Sequence, residues 1–164
     1  MPLNPQQESS MIQKIHHTAI STPDLERSVA FYRELFGFEV LVEMAWPVGS
    51  ELSDTVMGIE GTAANAVMLR RGDCMIEVFE FSSPEVKPQA PARPVCDHGI
   101  THMCFLVDDI RAEYVRLSDA GMRFHCPPQD VGAGSAYTYG RDPDGNVIEL
   151  LEVYDEQNAF HVAS

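Results

Sequence analysis

Two histidines and two glutamates hold corresponding places in this sequence. His17 lies in Ile15-His16-His17-Thr18-Ala19-Ile20, and His102 lies 85 residues later in Ile100-Thr101-His102-Met103-Cys104-Phe105. Glu77 lies in Ile76-Glu77-Val78-Phe79-Glu80, answered by Glu149 in Ile148-Glu149-Leu150-Leu151-Glu152. Imidazole nitrogen and carboxylate oxygen suit zinc, nickel, cobalt, iron or manganese, and four such donors leave open positions on a six-coordinate ion. Taken singly, a strand histidine is more often a hydrogen-bonded structural group than a ligand. A carboxylate in an apolar strand is less ordinary, because burying it unpaired is costly. The pairing, made twice, points to one divalent ion held by His17, Glu77, His102 and Glu149.

These residues need elements to carry them, and the repeat supplies those. Asp24 and Leu25 match Asp109 and Ile110. Leu25, Val29 and Tyr32, like Ile110, Tyr114 and Leu117, have the spacing of one helical face. Thr22 before Pro23 reads as one N-cap and Asp108 as the other, and Gly37 and Gly121 suit the helix ends. Period-two alternation puts Ile15, His17 and Ala19 on one strand face and Ile100, His102 and Cys104 on its counterpart. His16 then packs behind the sheet, and Glu80 and Glu152 face solvent. Two further strands fit between helix and final strand: Phe38 to Met44 and Ala63 to Arg70 in the first copy, Met122 to His125 and Ala136 to Gly140 in the second. The segment from Trp46 to Asn65 reads as a loop.

The expected class is therefore α+β, with two β-α-β-β-β modules forming a curved mixed sheet around the metal. The first module spans 12–81 and the second 99–154. A proline-rich linker occupies 82–98, with tails at 1–11 and 155–164.

Bulk composition narrows the partners. The 164 residues carry 25 acidic against 11 basic side chains, a formal net charge of -14. Such a surface repels nucleic acid and anionic membranes. The polar N-terminus has no apolar signal core, no stretch approaches a membrane span, and Cys74, Cys96, Cys104 and Cys126 lack close pairing. The expectation is a cytoplasmic protein with reduced thiols, two of them buried in strands, and no cysteine-based zinc site.

The motifs around His17, Asp24-Leu25-Glu26-Arg27-Ser28, Phe31-Tyr32-Arg33-Glu34-Leu35-Phe36-Gly37-Phe38, Ile76-Glu77-Val78, Gly99-Ile100-Thr101-His102 and Arg141-Asp142-Pro143-Asp144-Gly145-Asn146-Val147-Ile148-Glu149-Leu150 resemble the vicinal oxygen chelate superfamily. That group includes glyoxalase I, methylmalonyl-CoA epimerase, extradiol dioxygenases and fosfomycin and bleomycin resistance proteins. The resemblance, over about residues 12 to 154, implies paired β-α-β-β-β modules and metal ligands at His17, Glu77, His102 and Glu149. The quartet is most similar to that of glyoxalase I, since epimerases usually carry Gln where Glu77 stands. Signals for glutathione contact are not evident here. Pro127-Pro128-Gln129-Asp130-Val131-Gly132-Ala133-Gly134 loosely resembles an epimerase loop.

The expected reaction is that of a metal-dependent lyase or isomerase, with a proton taken from beside a carbonyl of an oxygen-chelating substrate and the resulting enediolate stabilised by the ion. Zinc, nickel or cobalt is favoured, with iron or manganese as further options. Glu149 is the first choice of base and Glu77 its symmetry partner. Trp46, Met68, Tyr137 and Tyr139 could line the pocket, though such residues more often simply pack. Arg70 and Arg141 could hold a substrate anion, and Arg141 could equally pair with Asp142. The alternatives are an Fe(II) extradiol-type dioxygenase and a non-catalytic resistance-type binding protein. A small-molecule substrate and a homodimer complete the expectation.

Overall fold

Alternating apolar residues in short β-prone runs need a sheet with one face covered, and two mixed sheets meet that need. The computed structural model describes residues 12–162, so the expected tail at 1–11 lies outside the described residues. The chain runs β1 (Thr18–Ser21), α1 (Leu25–Phe36), β2 (Glu39–Trp46), α2 (Glu51–Met57), β3 (Ala63–Arg71) and β4 (Cys74–Ser83). It continues through β5 (Met103–Leu106), α3 (Ile110–Asp119), β6 (Arg123–Phe124), β7 (Gln129–Gly132), β8 (Ser135–Arg141) and β9 (Val147–Val153). The first sheet has the order β1-β4-β3-β2; the second has β5-β9-β8-β6, with β7 also on β8. In each, the first strand runs parallel to the last, and the other pairs are antiparallel. The α+β class with curved mixed sheets is as expected.

The edge strand expected over Met122 to His125 shrinks to the two residues of β6 and resumes as β7. Pro127 and Pro128 lie between and cannot donate to a ladder. The interruption stays attached to β8, through His125 N to Tyr139 O at 2.7 Å and Thr138 Oγ1 to Cys126 O at 2.6 Å. The expected loop after Trp46 contains α2, capped by Ser50 and closed by Gly58 in the left-handed region.

The helix starts differ from the sequence reading in an instructive way. Asp24 caps α1 by accepting from Arg27 N, while the Thr22 hydroxyl bonds to Ser28 Oγ at 2.8 Å. Asp109, not Asp108, caps α3 by accepting from Arg111 N and Ala112 N. Glu80 and Glu152 do not simply face solvent. Glu80 Oε1 accepts from Leu25 N at 3.4 Å and Glu152 Oε2 from Ile110 N at 3.0 Å. Each final strand thus carries a carboxylate that satisfies an orphan amide of its module's helix, where the positive end of the helix favours a negative charge. Glu152→Ala is expected to cost about 0.5–2 kcal/mol, as cap deletions do. Urea unfolding checks this, and an unchanged midpoint would show that the bond contributes nothing.

One core joins both sheets. Tyr32, Phe36, Phe38, Val67, Leu69, Ile76 and Val78 cluster with Ile110, Leu117, Met122, Ala136, Ile148 and Leu150. Phe36 and Phe105 meet with ring centroids 4.9 Å apart. Polar bonds follow the same seam: Tyr32 Oη donates to Asp142 Oδ2 at 2.9 Å, Ser28 Oγ to Asp144 Oδ2 at 2.8 Å, and Arg27 pairs with Asp144. Burial raises the Asp142 carboxyl even though Asn146 and Tyr32 donate to it. The helix-bearing faces are spent on this core, so the opposite faces are left for chemistry. Two cysteines are expected to be buried in strands; Cys74 and Cys104 do lie in β4 and β5, but both are exposed, as are Cys96 and Cys126. Among the described residues no helix is long and apolar enough to cross a membrane.

Candidate metal centre

His17 and His102 each stand one residue before a first strand rather than inside it. Register does the rest. Ala19 sits opposite Glu77 in the β1–β4 pair, and Cys104 opposite Glu149 in the β5–β9 pair. A residue two positions earlier therefore shares the face of that glutamate. His17 Nε2 lies 3.3 Å from Glu77 Oε2, and His102 Nε2 lies 2.8 Å from Glu149 Oε2. The carboxylate side chains are only 15 % and 13 % exposed, so each needs a partner and has one.

The surroundings of the two pairs differ. Thr101 Oγ1 is 2.8 Å from His102 Nδ1, whereas His17 Nδ1 faces His16 Nδ1 at 2.9 Å. His16 is thus exposed beside His17 and not packed behind the sheet. β1 begins only at Thr18, so the alternation of that strand does not extend back to His16. Tyr139 is the register neighbour of Glu149, and its ring lies 5.0 Å from that of His102; Met68 holds the corresponding place beside Glu77. The Cys104 thiol is pushed up to about 12, first by desolvation and then by the Glu149 carboxylate it hydrogen-bonds.

His17 and His102 line one recess of about 500 Å³ with Ile15, Cys74 and Cys104. Among the described residues, no three His, Cys, Asp or Glu side chains lie close enough to hold an ion together. The repeat led to an expectation of four donors at one point; the chain presents two half-sites flanking a common recess. The sheets are joined by their helix-side core and not by hydrogen bonds between β1 and β5, so the half-sites are held in place separately. Each half-site offers two donors, one imidazole nitrogen and one carboxylate oxygen. Two adjacent donors at about 2.0–2.1 Å from an octahedral ion stand about 3 Å apart, close to the separations found here.

The expected pocket residues divide. Trp46 is 6.1 Å from Phe79 and 6.2 Å from Phe81 between ring centroids, and its Nε1 donates to Thr62 Oγ1. Met68 is buried. Tyr137 and Tyr139 have centroids 5.9 Å apart. Arg70 is exposed, two residues from Met68 on the Glu77 side of β3, and its side chain makes no hydrogen bond or ion pair among the described residues. Arg141 is committed to protein groups: Nε to His125 Nε2, Nη1 to Gly145 O and Nη2 to Arg93 O, and it does not pair with Asp142. Desolvation and then Arg141 lower the His125 pKa.

None of these six residues lines the larger cavity, about 1140 Å³, which lies between the proline-rich segment and the start of β5. Val86, Lys87, Arg93, His102 and Asn146 are among its walls. Sequence reasoning treated the proline-rich run only as a linker. Its one signal was the density of prolines that hold a chain extended.

The family model described as Glyoxalase/Bleomycin resistance protein/Dioxygenase superfamily matches residues 14–150. A 2-epi-5-epi-valiolone epimerase of Actinomyces sp is 29 % identical over 147 residues, 85 % of this chain and 79 % of that protein. A lactoylglutathione lyase of Schizosaccharomyces pombe is 27 % identical over 145 residues, 84 % of this chain and 47 % of that longer protein. A glyoxalase family protein of Bacillus cereus shares the fold, with a TM-score of 0.79 at 20 % identity, over 90 % of this chain and 98 % of that one.

Proposed function

We propose, from the premise that the chain belongs to the Glyoxalase/Bleomycin resistance protein/Dioxygenase superfamily, that it is a divalent-metal-dependent lyase or isomerase. It takes a proton from beside a carbonyl of a small substrate with neighbouring oxygens. The observation that carries the reading is the pair of repeat-related His–Glu contacts, His17 with Glu77 and His102 with Glu149. The names of an epimerase and a lyase among the relatives support the same class of chemistry.

His17 Nε2, Glu77, His102 Nε2 and Glu149 would hold the ion, zinc, nickel or cobalt by preference. When bound, it supplies Lewis acidity that stabilises negative charge developing on a carbonyl oxygen. Glu149 takes the proton at a carboxylate oxygen and returns it, with Glu77 serving the opposite face. A carboxylate held by an ion would be a weak base, so Glu149 would serve as base only when not bound to it. Tyr139 and Met68 shape the two sides, and Arg70 offers a free guanidinium to a substrate anion. Arg70→Met should raise KM for an anionic substrate about 10- to 100-fold with little change in kcat, the loss of one charged hydrogen bond. An unchanged KM would remove Arg70 from the site.

The half-sites are brought together by pairing with a second copy of the chain. Val40, Leu41, Val42 and Met44 on edge strand β2, with Leu52 and Val56 on α2, are exposed apolar side chains suited to that contact. Light scattering should give twice the chain mass.

The reaction is tested with zinc-, nickel- and cobalt-loaded protein in D₂O, offered 2-epi-5-epi-valiolone and lactoylglutathione as probes. Deuterium uptake beside the carbonyl of either supports the reading. Oxygen consumption with Fe(II) and no exchange would replace it with an oxygenase.

A further inference from the structure

We infer that Arg123 and Arg141 form a binding site for a phosphate-type dianion on the open face of the second sheet. Strands β6 and β8 pair antiparallel, with Arg123 directly opposite Arg141. Opposed residues leave a sheet on the same face. Phe124, Ala136, Ile148 and Leu150 take the core side of these strands. The two arginines therefore stand on the other side, with Tyr139 and Glu149.

Like charges placed opposite one another in a ladder repel. The chain has 25 acidic side chains against 11 basic ones, enough to neutralise such a pair. Neither arginine has an acidic partner among the described residues. Asp142, next to Arg141 in sequence, is turned to the core side, where Tyr32 and Asn146 donate to it. Arg93, whose carbonyl Arg141 reaches, directs its own guanidinium to Asp97 O and Ile100 O. Two uncompensated positive charges thus share one place on a protein of net charge -14.

The two guanidiniums are prepared differently. Arg141 is held by three bonds to neutral groups, His125 Nε2, Gly145 O and Arg93 O. A guanidinium has five N–H groups, so one N–H remains on each terminal nitrogen, in a plane the other bonds fix. Arg123 is exposed, and its side chain makes no hydrogen bond or ion pair among the described residues. A pinned fork beside an unengaged one suits an oxyanion with several acceptor oxygens. Two charges match the dianion of a phosphate monoester better than a single carboxylate. Arg141 is two residues along β8 from Tyr139, the register neighbour of Glu149, about 7 Å at the rise of a strand. The dianion is the remote end of a substrate whose carbonyl lies at Glu149. That assignment to the substrate rests on the reaction proposed above; the anion site does not.

Inorganic phosphate is the probe, titrated into the full-length protein with no metal added. Phosphate should shift the arginine Nε–H NMR signals of Arg123 and Arg141 and raise the melting temperature, as a ligand of the folded state does. Arg123 stands on a two-residue edge strand, so Arg123→Gln should fold, and its melt without phosphate checks that. Its phosphate affinity should fall about 10- to 100-fold, the loss of one charged hydrogen bond. Arg70→Met should bind phosphate as wild type does, and acetate should bind wild type more weakly than phosphate. Unshifted signals, unchanged affinity in Arg123→Gln, a loss confined to Arg70→Met, or acetate bound as tightly as phosphate would overturn the inference and leave the metal site standing. Failure of deuterium exchange, with phosphate still bound at Arg123, would overturn the reaction and the assignment to its substrate.

Discussion

His102→Ala should lose its metal. The substitution removes one of four donors and leaves Glu149, 13 % exposed, without the imidazole it faces at 2.8 Å. Losing an outer partner of a ligand typically costs 10- to 100-fold in affinity. Losing the ligand itself should therefore exceed about 100-fold, enough to leave the purified protein empty. His17→Ala should do the same, because the half-sites are equivalent by the repeat. Both histidines line a recess and lie outside the shared core, so the metal-free variants should still fold, with a melting temperature lowered by the carboxylate left unpaired. Dialysis against zinc followed by elemental analysis reads the result. Retention of the ion by His102→Ala alone would mean that the second half-site is not part of the centre.

Glu149→Gln should separate binding from chemistry. An amide oxygen still coordinates, though without charge, whereas an amide cannot take a proton at neutral pH. Loss of a positioned general base is expected to lower kcat about 10²- to 10⁴-fold, with part of the metal retained. The surroundings of the two glutamates differ: Tyr139 stands beside Glu149 and Cys104 hydrogen-bonds it, while Met68 stands beside Glu77. Glu77→Gln should therefore hurt turnover less for a substrate deprotonated on one face. Stopped exchange in Glu77→Gln with near-normal exchange in Glu149→Gln would reverse the assignment of base and partner.

How much of this was legible beforehand depends on the kind of information. The repeat was visible because the same apolar spacing, Leu25-Val29-Tyr32 and Ile110-Tyr114-Leu117, must bury two equivalent helices against two equivalent sheets. The same logic linked His17 to His102 and Glu77 to Glu149. The caps were displaced because Thr22, Asp24, Asp108 and Asp109 are all competent, and only the turn geometry chooses among them. Alternation sends Glu80 and Glu152 toward solvent because it says which face a side chain leaves from, not how far it reaches. Alternation puts His16 behind the sheet only if the strand reaches it, and β1 begins at Thr18. Most of all, a repeat shows which residues are equivalent and says nothing about whether the copies meet at one point. Arg141 illustrates the same limit, since its commitments to His125, Gly145 and Arg93 arise between segments distant in sequence.

The central claim is that one ion is held by nitrogen and oxygen donors from two histidines and two glutamates. Cys74 and Cys104 line the same recess as His17 and His102, so sulfur is the competing donor. X-ray absorption on the zinc-loaded protein decides between them. The expected spectrum has one zinc per chain, a shell of nitrogen and oxygen at about 2.0–2.1 Å and imidazole scattering from two rings. A sulfur shell at about 2.3 Å, or failure to take up zinc, nickel or cobalt at all, would contradict the account.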